Sequence, residues 1–330
     1  LLTDGLFPDT IGGVQKHSHF LIKYFSINNI YVDVFYIKND LTNSSLDLKD
    51  YNLKYLNFFE FKMPSSFYFP GHYIYNSYRL SKLYYQKLKL NSYDFIYAQG
   101  FTSWYLLKRQ LYKNNLISNL HGLNSYQVAA NKSDLLKQIL CKIPLRTIIK
   151  YSKYQISLGG ELNSILLNNG AKIDSIFTIP NAIESSWVVE KFSHIKSDKI
   201  KFVFVGRYER TKAVEEIFKV INKLIIKHNF EFHFVGEIPK NKRIHNDNFI
   251  YYGTIKNPGR IKSILINSDI LVCPSYAEGM PTVILDAMAC GCAIIATDVG
   301  AVRTMVDDEN GWIINNINIE KELEIAMKSS

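Results

Sequence analysis

The chain has 330 residues, 47% hydrophobic and 21% charged, with modest glycine and proline, which excludes a disordered or fibrous protein. That length suits two α/β domains of about 150 residues each better than one core. The formal charge is +9. No apolar run reaches about 18 residues, so no transmembrane helix is expected.

Asp4 and Asp9 interrupt the stretch where a secretory signal would be apolar. The chain opens on Leu1-Leu2-Thr3, which reads as the end of a strand, and closes on Met327-Lys328-Ser329-Ser330. A piece of a longer protein, cut at both ends, is expected. The cysteines are Cys141, Cys273, Cys290 and Cys292. Only the last two are close, as C-x-C in an apolar segment, so free thiols in a reducing compartment are expected rather than a zinc site.

In chain order, 14–25 has helical periodicity and 31–36 reads as a strand. Segment 51–85 holds 13 aromatics, including Phe67-Tyr68-Phe69 between Pro64 and Pro70. It reads as an aromatic satellite core, with an acceptor lid or membrane-dipping loop as the alternative. A helix follows at 78–90. Strands follow at 95–98, 117–120, 155–158 and 176–179. From 101 to 153 the Lys/Arg at 108, 109, 113, 132, 137, 142, 146, 150 and 153 face one acid, Asp134, a local balance of +8. Such a region suits an anionic membrane or nucleic acid, and a solvated basic face equally.

The alternation restarts after a polar stretch at 184–199. Strands are predicted at 201–205, 231–235, 270–273 and 293–296, with a helix at 213–227. Strand–helix repetition implies parallel sheets, with functional loops beyond the carboxyl ends of the strands. The boundary is placed between 181 and 199, giving an N-terminal domain 1–183 and a C-terminal domain 184–330.

Three loops carry candidate chemistry. Glu278-Gly279-Met280-Pro281-Thr282-Val283 follows a strand and opens a helix that holds Asp286. Pro281 is expected in the first helical turn, where its missing N–H costs nothing. The free N–H groups near Thr282 and Val283 would form an anion site with a carboxylate on either side. The plainer alternative is a helix start with an acidic cap. Val205-Gly206-Arg207 with Lys212 would aim two cations from a strand-to-helix loop at a diphosphate. Alone, they read as exposed cations. Gly12-Gly13 would let backbone approach a ligand, but lacks the third glycine of the dinucleotide fingerprint.

In this order, with His121-Gly122, Ile179-Pro180-Asn181, Val235-Gly236-Glu237, Pro274-Ser275, 289–298 and Asn310-Gly311, the chain resembles the glycosyltransferase group 1 proteins along nearly its whole length. These are retaining family 4 transferases of the GT-B fold, an α/β architecture of two Rossmann-like domains whose parallel sheets face across a cleft. The resemblance implies that Arg207 and Lys212 hold the donor diphosphate. Glu278 would contact the donor sugar and Asp286 the ribose. Gly13, beside Gly12, would meet the phosphate through its backbone, and His121 would reach the donor sugar. The stretch Gly279, Met280, Pro281, Thr282 and Val283 would line the donor, and Thr254 and Ile255 would meet the base. Departures are Asp286 where Glu is usual, Gly300-Ala301 where Gly-Gly is common, and Thr304 where a Glu often stands. The closing helix of the family that returns to the first domain is not found.

The expected reaction is transfer from a UDP- or GDP-sugar to a saccharide or lipid-linked acceptor in surface polysaccharide or lipopolysaccharide assembly. Retention of configuration would come from front-face attack, without a metal or cofactor. The expected setting is cytoplasmic, peripheral on the inner membrane face where the bilayer is anionic. A GT-B nucleotide-sugar epimerase and a non-catalytic basic nucleic-acid-binding protein remain as other readings. No recognised nucleic-acid motif supports the second.

Overall fold

The computed structural model describes residues 1–10, 12–38, 49–64, 71–190, 199–314 and 319–328. Two compact units emerge: Leu1–Tyr126 with Leu136–Pro180, and Gln127–Leu135 with Asn181–Ser330. The sequence places one boundary after 183; by contacts the chain leaves the first unit near Pro180, and the short segment Gln127–Leu135 packs with the second. Among the described residues, no helix is long and apolar enough to cross a membrane.

In the first unit, helix α1 (Gly13–Ile27) leads into β1 (Val32–Ile37), which pairs in parallel with β2 (Leu56–Phe61). Helix α2 (His72–Leu88), β3 (Ile96–Gln99), α3 (Trp104–Lys108), β4 (Leu116–Asn119), α4 (Lys132–Tyr151), β5 (Tyr154–Ser157), α5 (Glu161–Asn168) and β6 (Ile176–Thr178) follow. Strands β3 to β6 pair in sequence order, all parallel. Leu2 bridges β1 and β3: its N–H donates to Tyr97 O at 2.8 Å, and its carbonyl accepts from Gln99 N–H at 3.0 Å. Leu2 thus makes strand-like bridges in the stretch that the sequence reads as the end of a strand. The order reverses about them, so the loop after Thr3 lies at a switch point.

The aromatic stretch after 51 is largely core where it is described. Tyr84 is fully buried, with Phe61 at a centroid distance of 4.8 Å and Phe35 at 5.8 Å, and Tyr51 and Phe58 pack on the other face of β1. Phe67-Tyr68-Phe69 lies outside the described residues.

The second unit is a six-stranded parallel sheet built from β7 (Ile200–Val205), β8 (Phe230–Val235), β9 (Phe249–Gly253), β10 (Ile270–Cys273), β11 (Ala293–Thr297) and β12 (Gly311–Ile314). Its order is β12-β11-β10-β7-β8-β9. Helices α6 (Val214–Leu224), α7 (Pro258–Ile266), α8 (Thr282–Ala289) and α9 (Glu320–Lys328) connect or follow these strands. Phenylalanines recur at every second position, so they share one face. Parallel register sets Phe202 opposite Phe232 and Phe204 opposite Phe234. That face packs on the buried stripe Ile217, Phe218 and Ile221 of α6. The helix expected to run to 227 ends at Leu224, where the buried positions stop.

Strands β2, β9 and β12 were not predicted. Two are sheet edges and β2 is the outer member of its pair. In β2, Asn57 and Glu60 interrupt the apolar run, whereas β9 and β12 are short apolar runs that periodicity alone does not assign to strands.

Candidate active site

In the second unit the sheet order reverses between β7 and β10, so the loops leaving these two strands open side by side at the carboxyl edge. The first carries Arg207 and Lys212, the second Glu278. The structure joins two of these three. Lys212 Nζ bonds the Glu278 carboxylate, with side chains 27% and 11% exposed. Burial alone would lower the Lys212 pKa, but Glu278, Cys273 and Glu209 outweigh it and hold the ammonium above its ordinary value. Arg207 stands apart from that pair: its guanidinium meets Glu209 at 2.9 Å and its side chain is 78% exposed. Glu209, which acts on both cations, connects them.

Residues unmarked in the sequence hold this pair in place. Arg210 donates to Glu216 at 2.5 Å and to Tyr276 Oη at 3.0 Å, and lies 5.0 Å over the Tyr276 ring. Tyr276 Oη donates to Glu216 at 3.1 Å, and Tyr276 N–H donates to Thr211 O at 2.8 Å. The two loops are thus stitched together beside Lys212. Gln127 grips the backbone of Glu278 from both sides: its Nε2 donates to Glu278 O at 2.7 Å, and its Oε1 accepts Glu278 N–H at 3.1 Å. No spacing rule finds a partner 151 positions away.

Gly300 supports the same loop from beneath. Its φ is +59°, and a Cβ there would stand 2.3 Å from the carbonyl oxygens of both Glu278 and Gly279. Ala301 N–H donates to Gly279 O at 2.8 Å. Gly300-Ala301 therefore keeps the glycine the geometry demands. Met280 is buried, and its carbonyl accepts from Asn181 Nδ2 at 3.0 Å.

Pro281 sits one place earlier than expected. It is the cap residue, with ψ at 111°, and α8 begins at Thr282. The extended ψ turns the chain into the helix, so the first-turn position falls to Thr282. The N–H groups of Thr282 and Val283 still lack an acceptor one turn back within the helix. Asp286 is buried on α8, one turn beyond Thr282 on the same side. Thr254 and Ile255 leave the end of the edge strand β9, after Gly253.

The first unit gathers a second group of the expected residues. Gly12 precedes α1 and Gly13 is its first residue. Nothing stands within 4 Å of where a Gly13 Cβ would be. Gln15, on the first turn, donates to Asp4 at 2.9 Å. His121 follows β4 with φ at 56°, held by Asn119 Oδ1 accepting its N–H at 2.9 Å. Its Nε2 lies 3.3 Å from Gln99 Oε1, which also accepts from Ser18 Oγ at 2.9 Å. The His17 ring stands edge-on at 4.9 Å. Burial, then His17, pushes the His121 pKa down to about 3, and burial pushes His17 down to about 4. Both imidazoles are neutral hydrogen-bonding groups. Nothing in the residue pattern marks His17 as a partner: it is one more histidine on α1.

With this geometry in view, residues 199–329 match the family model described as Glycosyl transferases group 1. Over those residues the chain is similar to that family. The match covers β7 to α9, and with them the Lys212–Glu278 pair. The putative teichuronic acid biosynthesis glycosyltransferase TuaC of Bacillus subtilis is 32% identical over 122 residues, 37% of this chain and 31% of TuaC, so that match spans about a third of the relative. An uncharacterized glycosyltransferase of Methanocaldococcus jannaschii is 22% identical over 97% of this chain and 86% of its own. Sucrose-phosphate synthase from Thermosynechococcus elongatus superposes with a TM-score of 0.80 at 16% identity, over 99% of this chain and 88% of that one. Anabaena HepE, solved with UDP-glucose, gives 0.65 at 14% identity over 99% and 88%. Together with the two Rossmann-like halves, these likenesses make the fold of that region and its N-terminal companion GT-B.

Proposed function

We propose that this chain is a glycosyltransferase that takes a sugar from a UDP- or GDP-sugar, places it on a saccharide or lipid-linked acceptor and keeps the anomeric configuration. Surface polysaccharide or lipopolysaccharide assembly is the setting. The observation that carries this reading is the Lys212–Glu278 pair beside the start of α8, at the switch point of the second unit. A cation next to free helical N–H groups suits a diphosphate leaving group. A carboxylate one residue chain away suits the hydroxyls of the sugar it carries. The relative named for teichuronic acid biosynthesis and the neighbour solved with UDP-glucose support the substrate class.

In the proposed reaction the anomeric C–O bond to the diphosphate breaks and the acceptor hydroxyl forms a new bond on the same face. The departing phosphate oxygen takes the hydroxyl proton. Lys212, the N–H groups of Thr282 and Val283, and Arg207 once it leaves Glu209 stabilise the growing negative charge. Glu278 orients the sugar and Asp286 the ribose. Neutral His121 offers a hydrogen bond without adding charge. These cations do the work a divalent ion would otherwise do, so neither metal nor cofactor is required.

The test is transfer from a UDP- or GDP-sugar to purified acceptor saccharide or lipid, with EDTA present, and the product's anomeric centre read by NMR. Retained configuration is expected. Inversion, or loss of activity with EDTA, would overturn the mechanism. Conversion of the nucleotide sugar without any acceptor would favour the epimerase.

A further inference from the structure

Strands β7, β8 and β9 run out onto glycines at the carboxyl edge of the second unit: Gly206, Gly236 and Gly253. Backbone hydrogen bonds tie the three strand ends together, Gly206 N–H donating to Val235 O and Gly236 N–H to Gly253 O, each at 2.9 Å. A Cβ on Gly236, whose φ is +130°, would overlap the Gly206 carbonyl oxygen. The result is a strip of half-buried peptide without side chains that begins on the loop carrying Lys212. A planar ring can lie on such a strip, because no Cβ holds it off the backbone. At the outer end of the strip stands Glu237, with its side chain 70% exposed. Its Oε2 is 3.7 Å from the place of a Gly253 Cβ, and its Oε1 faces Arg243 Nη2 at 4.0 Å. That distance is too long for a hydrogen bond, so both heads keep their hydrogen-bonding capacity toward a ligand. Arg243 is fixed by its other atoms: Nε donates to Ile238 O at 3.0 Å, and the guanidinium lies 5.2 Å over the Tyr251 ring.

We infer that Glu237 and Arg243 read the base of the donor nucleotide and select guanine, so that the donor is a GDP-sugar. The inference rests on the transferase reading, which leaves uridine and guanosine open. A carboxylate accepts hydrogen bonds and donates none. Among guanine, adenine, uracil and thymine, only guanine offers it two adjacent donors, N1–H and the N2 amino group. With N1–H on Oε1, O6 falls on the side of Arg243, which donates. Uracil and thymine flank their single N3–H with two carbonyls, so one carboxylate oxygen would face another lone pair. Adenine sets a bare N1 beside its amino group and fails in the same way. Each mismatch leaves a polar or charged group unpaired, which is the costly case. The diphosphate end of the same nucleotide stays with Lys212 and the N–H groups of Thr282 and Val283.

The test is calorimetric titration of the 330-residue chain with GDP, inosine diphosphate, UDP and ADP. GDP should bind at least about tenfold more tightly than UDP or ADP, and than inosine diphosphate, which differs from it only by the missing N2 amino group. Glu237→Gln should reverse the order: the amide accepts from uracil N3–H and donates to the neighbouring carbonyl, so UDP gains while GDP loses at least about tenfold. A residue that merely shaped the loop would weaken every nucleotide alike. Glu237 is exposed, so the melting curve of the variant should match the parent. Equal binding of GDP and inosine diphosphate overturns the inference, and so does parent-like GDP binding by Glu237→Gln. UDP or ADP bound most tightly by the parent, and lost in Lys212→Met, overturns the choice of guanine and leaves the transferase reading standing. No binding by any nucleotide overturns both.

Discussion

Replacing Lys212 by methionine keeps the length of the stem and removes only the charge. The partner left behind, Glu278, is 11% exposed and loses its counter-ion in a largely dry site. Breaking a buried pair from one side costs about 3–5 kcal/mol. Lys212 itself is 27% exposed, so water recovers part of this and roughly 2–3 kcal/mol is expected. In a unit of this size that corresponds to ~5–10 °C in melting temperature. Glu278→Gln alone should cost less, because the lysine can swing its charge to solvent. The double variant should lie closer to the parent than the sum of the singles, with a coupling of about 1–2 kcal/mol. Thermal and urea unfolding at pH 7 measure all four corners. A parent-like melting temperature for Lys212→Met with zero coupling would refute the claim that this pair is a strong feature of the site. The ammonium pKa lies above its ordinary 10.5, so the lysine's share of the pair's contribution is fully present below 10.5 and is lost as pH rises through the raised value.

Three further outcomes follow from particular residues. Gly13→Ala should leave the melting temperature unchanged or slightly raised, since the new methyl meets nothing within 4 Å. If donor phosphate fills that space, turnover should fall by at least about tenfold, whereas parent-like kinetics would remove Gly13 from the site. Gly300→Ala should destabilise by more than about 3 kcal/mol and disturb transfer, because its methyl would overlap the Glu278 and Gly279 carbonyls at positive φ; a soluble variant with normal unfolding would contradict this. Stability should fall as pH drops below 6.5, since His17 and His121 resist protonation when folded and accept it when unfolded. The slope is up to about 1.4 kcal/mol per pH unit for each ring. His17→Gln with His121→Asn should flatten the profile between pH 6.5 and 4, and an unchanged slope would show that the rings are not kept neutral.

The central strands and amphipathic helices could be read from sequence because parallel sheets bury both faces and leave continuous apolar runs. Ile270–Cys273 was placed to the residue. Short edge strands such as β9 and β12 were missed although apolar, and β2 hid among aromatics that look alike whether in a strand or a loop. The loops of the site were legible as motifs; that Lys212 and Glu278 meet was not. What fixes them was not legible. Gln127 holds Glu278 through backbone atoms, and any side-chain amide could do so, so nothing in its residue type announces the role. Tyr276, Arg210 and Glu216 form a network that depends on the parallel pairing of β7 with β10, a relation set by topology rather than by local spacing. Arg207 shows the converse: the motif was clear, yet the side chain rests on Glu209.

The most direct test of the account is a thermal-shift and calorimetric screen of UDP, GDP, ADP and TDP, each with and without EDTA, on the parent chain, Lys212→Met and Glu278→Gln. The account predicts that one uridine or guanosine diphosphate binds irrespective of EDTA. Binding should be lost in Lys212→Met. It should be kept or tightened in Glu278→Gln, where the carboxylate no longer competes for the ammonium. Nucleotide binding that survives Lys212→Met unchanged, or no binding by any of the four, would contradict it.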